Sequence, residues 1–153
     1  MPRVEERLRE IGVEIPLPPV PQGAYQPAVI SGNLIFVSGQ LPIKEGELLY
    51  RGKVGSEVSV EEGIEAARLA AINSLSIMKR ELGDLDRVKR IVKLTGYVSS
   101  APGFGMQAKV VNGASEFFYD VFGDMGRHAR AAVGVYELPF GAPIEVEVIA
   151  EIS

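Results

Sequence analysis

The sequence contains no cysteine, and of its 153 residues only His128 is a histidine. The first absence excludes disulfides, thiolate nucleophiles and cysteine-based zinc sites, and it suits a reducing compartment. The second excludes a histidine-cluster metal site within one chain. Excess positive charge is missing too. The net charge is −4, which argues against a general nucleic-acid binder, because such proteins gain affinity by neutralising phosphates. No uninterrupted apolar run approaches the ~20 residues of a membrane-spanning helix. The N-terminal stretch is charged and lacks the apolar segment of a signal peptide, so a cytoplasmic location is expected. There is no Ser–His–Asp order, phosphate-binding loop, dinucleotide fingerprint or metal motif. What is present is ordinary for a globular chain: 46% apolar and 24% charged residues, at a length that suits one domain with a real core.

Residues 2–11 predict a short amphipathic helix with Val4, Leu8 and Ile11 on one face and Gly12 as its C-terminal cap. Prolines at 16, 18, 19 and 21 then predict an extended connection, so residues 1–22 form a helix and proline-rich extension of the single domain. AYQPAVI and LIFVSG flank Ser31-Gly32-Asn33 and read as a β-hairpin. Its second strand ends in Ser38-Gly39-Gln40, where a glycine either lets a ligand or neighbouring chain approach the backbone or simply ends the strand. A short strand at Leu48–Tyr50 is possible within the glycine- and charge-rich stretch 44–58.

Ser59-Val60-Glu61-Glu62 is a capping box opening a long helix to about Leu82, closed by Gly83. VKRIVKLTGYVSS reads as a strand with Val92, Leu94, Gly96 and Val98 on one side and Lys93, Thr95 and Tyr97 on the other. Pro102 opens a second helix over about 102–122, with Phe104, Ala108, Val111, Phe118 and Phe122 as its apolar face.

The last stretch, from His128 to Ser153, reads as two alternating strands joined at Leu138–Pro143, a closing hairpin. The order is β-β-α-β-α-β-β. Two helices cannot cover both faces of such a sheet, so an α+β fold with both helices on one face is expected. The uncovered face calls for self-association.

Arg130 is a permanent charge on a strand of alanine, glycine and valine, and it needs a partner. That partner is either a protein carboxylate or a bound anion, since the guanidinium fork matches a ligand carboxylate. With a turn centred near Gly141, Arg130 would face about residue 151 or 152. Glu151 is then the expected structural partner, and Glu145 is left free. His128 is either a general acid or base or a loop histidine without a role.

Together, SGQLP at 38–42, VNGASEFF at 111–118, ARAAV at 129–133 and IEVEVIAE at 144–151 resemble the Rid family, the reactive intermediate imine deaminases also called YjgF-like proteins. The resemblance runs from about Tyr25 to the C-terminus. It implies a chorismate-mutase-like fold with a mixed sheet, and a homotrimer whose sheets line a central barrel with a cleft at each subunit interface. Deaminases of this type hydrolyse enamines and imines of 2-keto acids, such as 2-aminoacrylate and its imine tautomer, to the keto acid and ammonia. They need no metal or cofactor. By resemblance, Arg130 holds the substrate carboxylate and Glu145 orients the attacking water. Tyr25, Ser38, Gly39 and Asn112 bind substrate, and Ala132 offers a strand carbonyl.

The chain departs from the family pattern at His128, where a proline is frequent, and at Ala132, where some members have cysteine. The stretch 138–143 also lacks the usual charges, and the N-terminal extension lies beyond the compact family core. The marks are those of a longer, divergent branch. Two other functions compete with deamination: a non-catalytic trimer that binds small carboxylate metabolites or regulates a partner, and an endoribonuclease. The acidic balance and the lack of an aromatic-basic groove count against the last.

Overall fold

A computed structural model describes residues 3–18 and 23–153. Helix α1 (Arg3–Glu10) buries Val4 and Leu8, and Gly12 ends it at φ +75°. The Asp86 carboxylate accepts hydrogen bonds from the Arg3 and Val4 amides, both at 2.8 Å. It thereby satisfies two of the donors that a helix N-terminus leaves open. The chain then runs without regular structure through residue 18. Pro19 and Pro21 of the expected proline connection lie outside the described residues.

Strands β1 (Ala28–Ser31) and β2 (Leu34–Gln40) form the expected hairpin around Gly32-Asn33, with Gly32 at φ +61°. Tyr25 precedes the first strand and is not part of it. The possible strand at Leu48–Tyr50 is instead a small ribbon of β3 (Ile43–Lys44) and β4 (Glu47–Leu48).

Helix α2 (Val60–Leu82) carries the expected capping box: the Glu62 amide donates to Ser59 Oγ at 3.1 Å, and the Ser59 amide donates to Glu62 Oε1 at 2.9 Å. Strand β5 (Val88–Ser99) has two register shifts against its neighbour, one near Lys89 and one near Val92. Each bulge adds a residue and reverses the side that follows. Ile91, not Val92, is therefore the buried side chain, together with Leu94, Gly96 and Val98.

Helix α3 spans Gln107–Phe122 and does not begin at Pro102. Pro102-Gly103 forms a turn with Gly103 at φ +79°, a left-handed conformation that a helix cannot continue through. Its buried face is Val110, Val111, Ala114, Phe117, Phe118 and Val121, and the expected Ala108 is exposed. Gly113 faces the Ile64 backbone of α2 so closely that a Cβ could not fit between them. No helix of the described residues is long and apolar enough to cross a membrane.

The closing hairpin is not formed. Strands β6 (Ala129–Val135) and β7 (Ile144–Ile152) do not pair with each other. The mixed sheet has the order β1-β2-β7-β5-β6, with β7 antiparallel to both β2 and β5, and β6 parallel to β5 at the edge. The connection from residue 136 to 143 therefore steps across β5.

Helices α2 and α3 cover one face, where Ile35, Val37, Leu94, Val98, Ile144, Val146, Val148 and Ala150 join the core. The opposite face carries Val29, Phe36, Thr95, Tyr97, Val133, Glu145, Glu147 and Ile149, and no helix of the described residues packs on it.

Candidate active site

Arg130 is paired in register with Leu94, so its side chain leaves the sheet on the helix-covered face, at the outer edge. There Nη1 donates to Asn112 Oδ1 at 2.7 Å and to Ser115 Oγ at 3.2 Å. Asn112 and Ser115 lie three residues apart on α3, the spacing that places two side chains on one helix face. Glu151 is not the partner. It stands on the other side of β7, beside β2, where Asn33 Nδ2 donates to its Oε2 at 3.3 Å. The insertion of β7 between β2 and β5, antiparallel to both, places it there.

Among the described residues Arg130 has no ion-pair partner. It lines an open cleft of about 340 Å³ with Asn112, Ser115, Glu116, Tyr119, Arg127 and His128. Ala132 lies two residues further on the same face and packs against the core. The His128 imidazole is pushed below its ordinary pKa by burial, with the Arg130 charge adding to the effect.

Glu145 lies on the opposite, uncovered face. Its carboxyl group sits directly over Gly39, in the space that a Cβ there would take. Gly39 falls in the irregular pairing between Val37 and Gln40 of β2, where the strand departs from regular register against β7. Ser38 belongs to the same stretch: its Oγ donates to the Gln26 carbonyl at 2.7 Å, and its amide donates to Pro27 O at 2.9 Å. This ties β2 to the segment carrying Tyr25, which is 55% exposed and free to meet something outside the chain. Burial, and then the neighbouring Glu147 charge, raise the Glu145 pKa above the ordinary carboxylate value.

The candidate residues thus form two groups in one chain. Arg130, Asn112 and Ala132 stand on the helix side of the edge strand. Glu145, Gly39 and Ser38, with Tyr25 nearby, stand across β7 and β2. The intervening β5 and the sheet itself keep the groups apart, because side chains on opposite faces of a sheet cannot meet.

Ser115 was not among the expected residues. Its helical spacing from Asn112 was the available signal. Tyr97 was also missed. Its hydroxyl donates to Glu147 Oε1 at 2.5 Å, and it pairs directly with Glu145. That contact exists only because β7 lies beside β5. Among the described residues no cluster of three acidic or histidine ligands could hold a metal ion.

The YjgF/chorismate mutase-like family model, whose description also carries the word endoribonuclease, matches residues 5–152, beginning within α1. Protein TCP17 of Trypanosoma cruzi is 45% identical over 99% of this chain and 95% of its own length. A 2-iminobutanoate/2-iminopropanoate deaminase of Dermatophagoides farinae is 27% identical over 92% of this chain and 95% of its own. A crystal structure of an Agrobacterium tumefaciens protein superposes with a TM-score of 0.92 at 46% identity, covering 98% of this chain and 92% of that one.

Proposed function

The chain belongs to the YjgF/chorismate mutase-like family, and on that premise we propose that it is an enamine/imine deaminase hydrolysing 2-imino acids to 2-keto acids and ammonia. The observation that carries the reading is the Arg130 guanidinium, oriented by Asn112 and Ser115 in an open cleft and, among the described residues, in no ion pair, although Glu116 lines the same cleft. Such a fork matches the carboxylate that every 2-imino acid carries.

In the proposed site Arg130 binds the substrate carboxylate and Asn112 holds Arg130 in place. Glu145 orients a water that adds to the imine carbon, and the nitrogen takes a proton. The carbinolamine then collapses: its hydroxyl proton passes to the nitrogen, the C–N bond breaks, ammonia leaves and the keto acid remains. Ser38, Gly39, Tyr25 and the Ala132 carbonyl complete the binding surface. The imine is reactive by itself, so acceleration comes from positioning and charge stabilisation. No metal or cofactor enters this scheme.

The two groups of residues cannot meet within one chain, so the proposal requires a second copy. A homotrimer with its sheets around a central barrel would bury the uncovered face and bring Arg130 of one copy toward Glu145 of the next. The cysteine-free composition agrees with a reducing, cytoplasmic setting. The net charge of −4 speaks against the endoribonuclease alternative.

The test generates 2-imino acids with an L-amino-acid oxidase and traps them with semicarbazide. Wild type is expected to suppress trapping, and Arg130→Ala is not. If folded wild type leaves trapping unchanged across a panel of amino acids, catalysis is dropped. A cleft that only binds carboxylate metabolites then takes its place.

A further inference from the structure

Tyr97 and Glu145 are directly opposed across β5 and β7, and Thr95 and Glu147 form the next pair on the same face. Directly opposed side chains start about 5 Å apart, and a tyrosine is long enough to reach the diagonal neighbour. Tyr97 does so, its hydroxyl donating to Glu147 Oε1 at 2.5 Å. The ring therefore leans toward Glu147, and Glu145 turns to its other neighbour, β2, where Gly39 leaves room for it.

We propose that Tyr97 is a positioning residue for Glu145, acting through Glu147. Its ring bars Glu145 from swinging toward β5. Its hydroxyl holds Glu147 in one orientation and offsets part of the negative charge that Glu145 faces. The inference rests on the reading of Glu145 as the group that orients water.

The surroundings leave few other groups to play this part. Apart from Tyr25, which precedes β1, the remaining ionisable side chains paired on this face among the described residues are Arg90 and Lys93 of β5 and Glu151 of β7. Arg90 and Lys93 are paired with Glu151 and Ile149, further along the sheet. β1, β2 and β6 contribute Val29, Ser31, Leu34, Phe36, Ala129, Ala131, Val133 and Val135, none of which titrates. In the proposed assembly Arg130 of a second copy would also face Glu145. The Tyr97 hydroxyl is held in its donor form, its pKa pushed up to about 12, first by the hydrogen bond to Glu147 and then by burial. The Glu147 charge is itself one of the two causes that raise Glu145.

The two members of the pair make opposite predictions. Tyr97→Phe keeps the ring and removes the donor, so Glu145 faces a less compensated Glu147 and its titration moves up. Glu147→Gln removes the charge, and the titration moves down. The measurement is a carbon-13 NMR titration of the Glu145 carboxyl in full-length, glutamate-labelled protein, with the signal assigned by Glu145→Gln. It needs no activity.

Beside it, the acid limb of the kcat/KM profile for imine hydrolysis is recorded for the same variants. It should follow the two titrations, and kcat of Tyr97→Phe should fall about tenfold with KM little changed, as one hydrogen bond to a charged group allows. A merely structural pair would alter thermal stability and leave both midpoints in place. Midpoints that stay fixed, or move in the same direction in both variants, overturn the proposal. If the NMR midpoints move in opposite directions while wild type hydrolyses no imine, the deaminase reading fails and the control of Glu145 by the pair stands.

Discussion

Gly39 leaves open the space that the Glu145 carboxyl group fills. The atoms that an added Cβ would strike are the far end of a flexible side chain, so Gly39→Ala should displace Glu145 without moving the backbone. The expected outcome is a loss of imine hydrolysis of about 10- to 100-fold, the scale of a misplaced reacting group. The semicarbazide assay reads the loss, and circular dichroism should show an unchanged fold. Full activity in the alanine variant would remove Glu145 from the proposed mechanism.

Asn112 and Ser115 share one guanidinium nitrogen of Arg130. Loss of Asn112 should let the arginine turn away from the cleft. Asn112→Ala is expected to raise KM for imine hydrolysis about tenfold with little change in kcat, within the range for a hydrogen bond to a charged group. Ser115→Ala, at the longer distance, should have the smaller effect. Steady-state kinetics on both variants check the order.

Asp86 ties α1 to the turn before β5. The Val4 amide, with the Arg3 amide and charge, lowers its pKa below the usual 3.8. A depressed carboxylate stabilises the fold above its unfolded pKa, and that contribution is lost as pH falls through the folded value. Asp86→Ala should therefore cost about 1 kcal/mol near neutrality, as for a lost helix cap, and progressively less below about pH 3.8. Urea unfolding of both proteins at several pH values measures the gap. An equal gap at every pH would mean the charge is not what holds α1.

Gly113 touches the Ile64 backbone across the two helices. Backbone cannot yield as a side-chain tip can, so Gly113→Ala must push α3 away from α2. The expected destabilisation is about 1–3 kcal/mol, typical of overpacking, read as a lower urea midpoint. A neutral outcome would show the helix pair to be looser than this contact implies.

The readable features were those whose cause is local. The Ser59–Glu62 capping box, Gly83 and Gly12 as helix ends, and the turn at Gly32-Asn33 all rest on interactions within a few residues, and all are present. The alternation along 144–152 is also local, and every second residue there is buried. Where local cues competed, the reading failed. Pro102 fits a helix start, yet Gly103 at φ +79° makes a turn of the same residues. The bulges in β5 left Val92 on the wrong face, because a bulge is set by the partner strand and leaves no periodic trace.

The candidate site divides along the same line. Arg130, Glu145, Gly39 and Asn112 stood out as residue types in a familiar order, which sequence carries. Their grouping did not. Strands β6 and β7 follow each other with a short connection, and that connection suits a hairpin as well as a step across β5. Only the burial of β7 on both edges decides between them: it occupies the middle of the sheet, between β2 and β5, with Val146, Val148 and Ala150 sealed beneath the helices. By itself, then, the sequence determined most of the elements, the α+β class, the uncovered face and the chemistry available. Tertiary structure alone decided that Arg130 faces α3, that Glu145 faces Gly39 and Tyr97, and that the two lie on opposite sides of one sheet. Strand order depends on contacts between distant residues, and no local pattern of side chains encodes it.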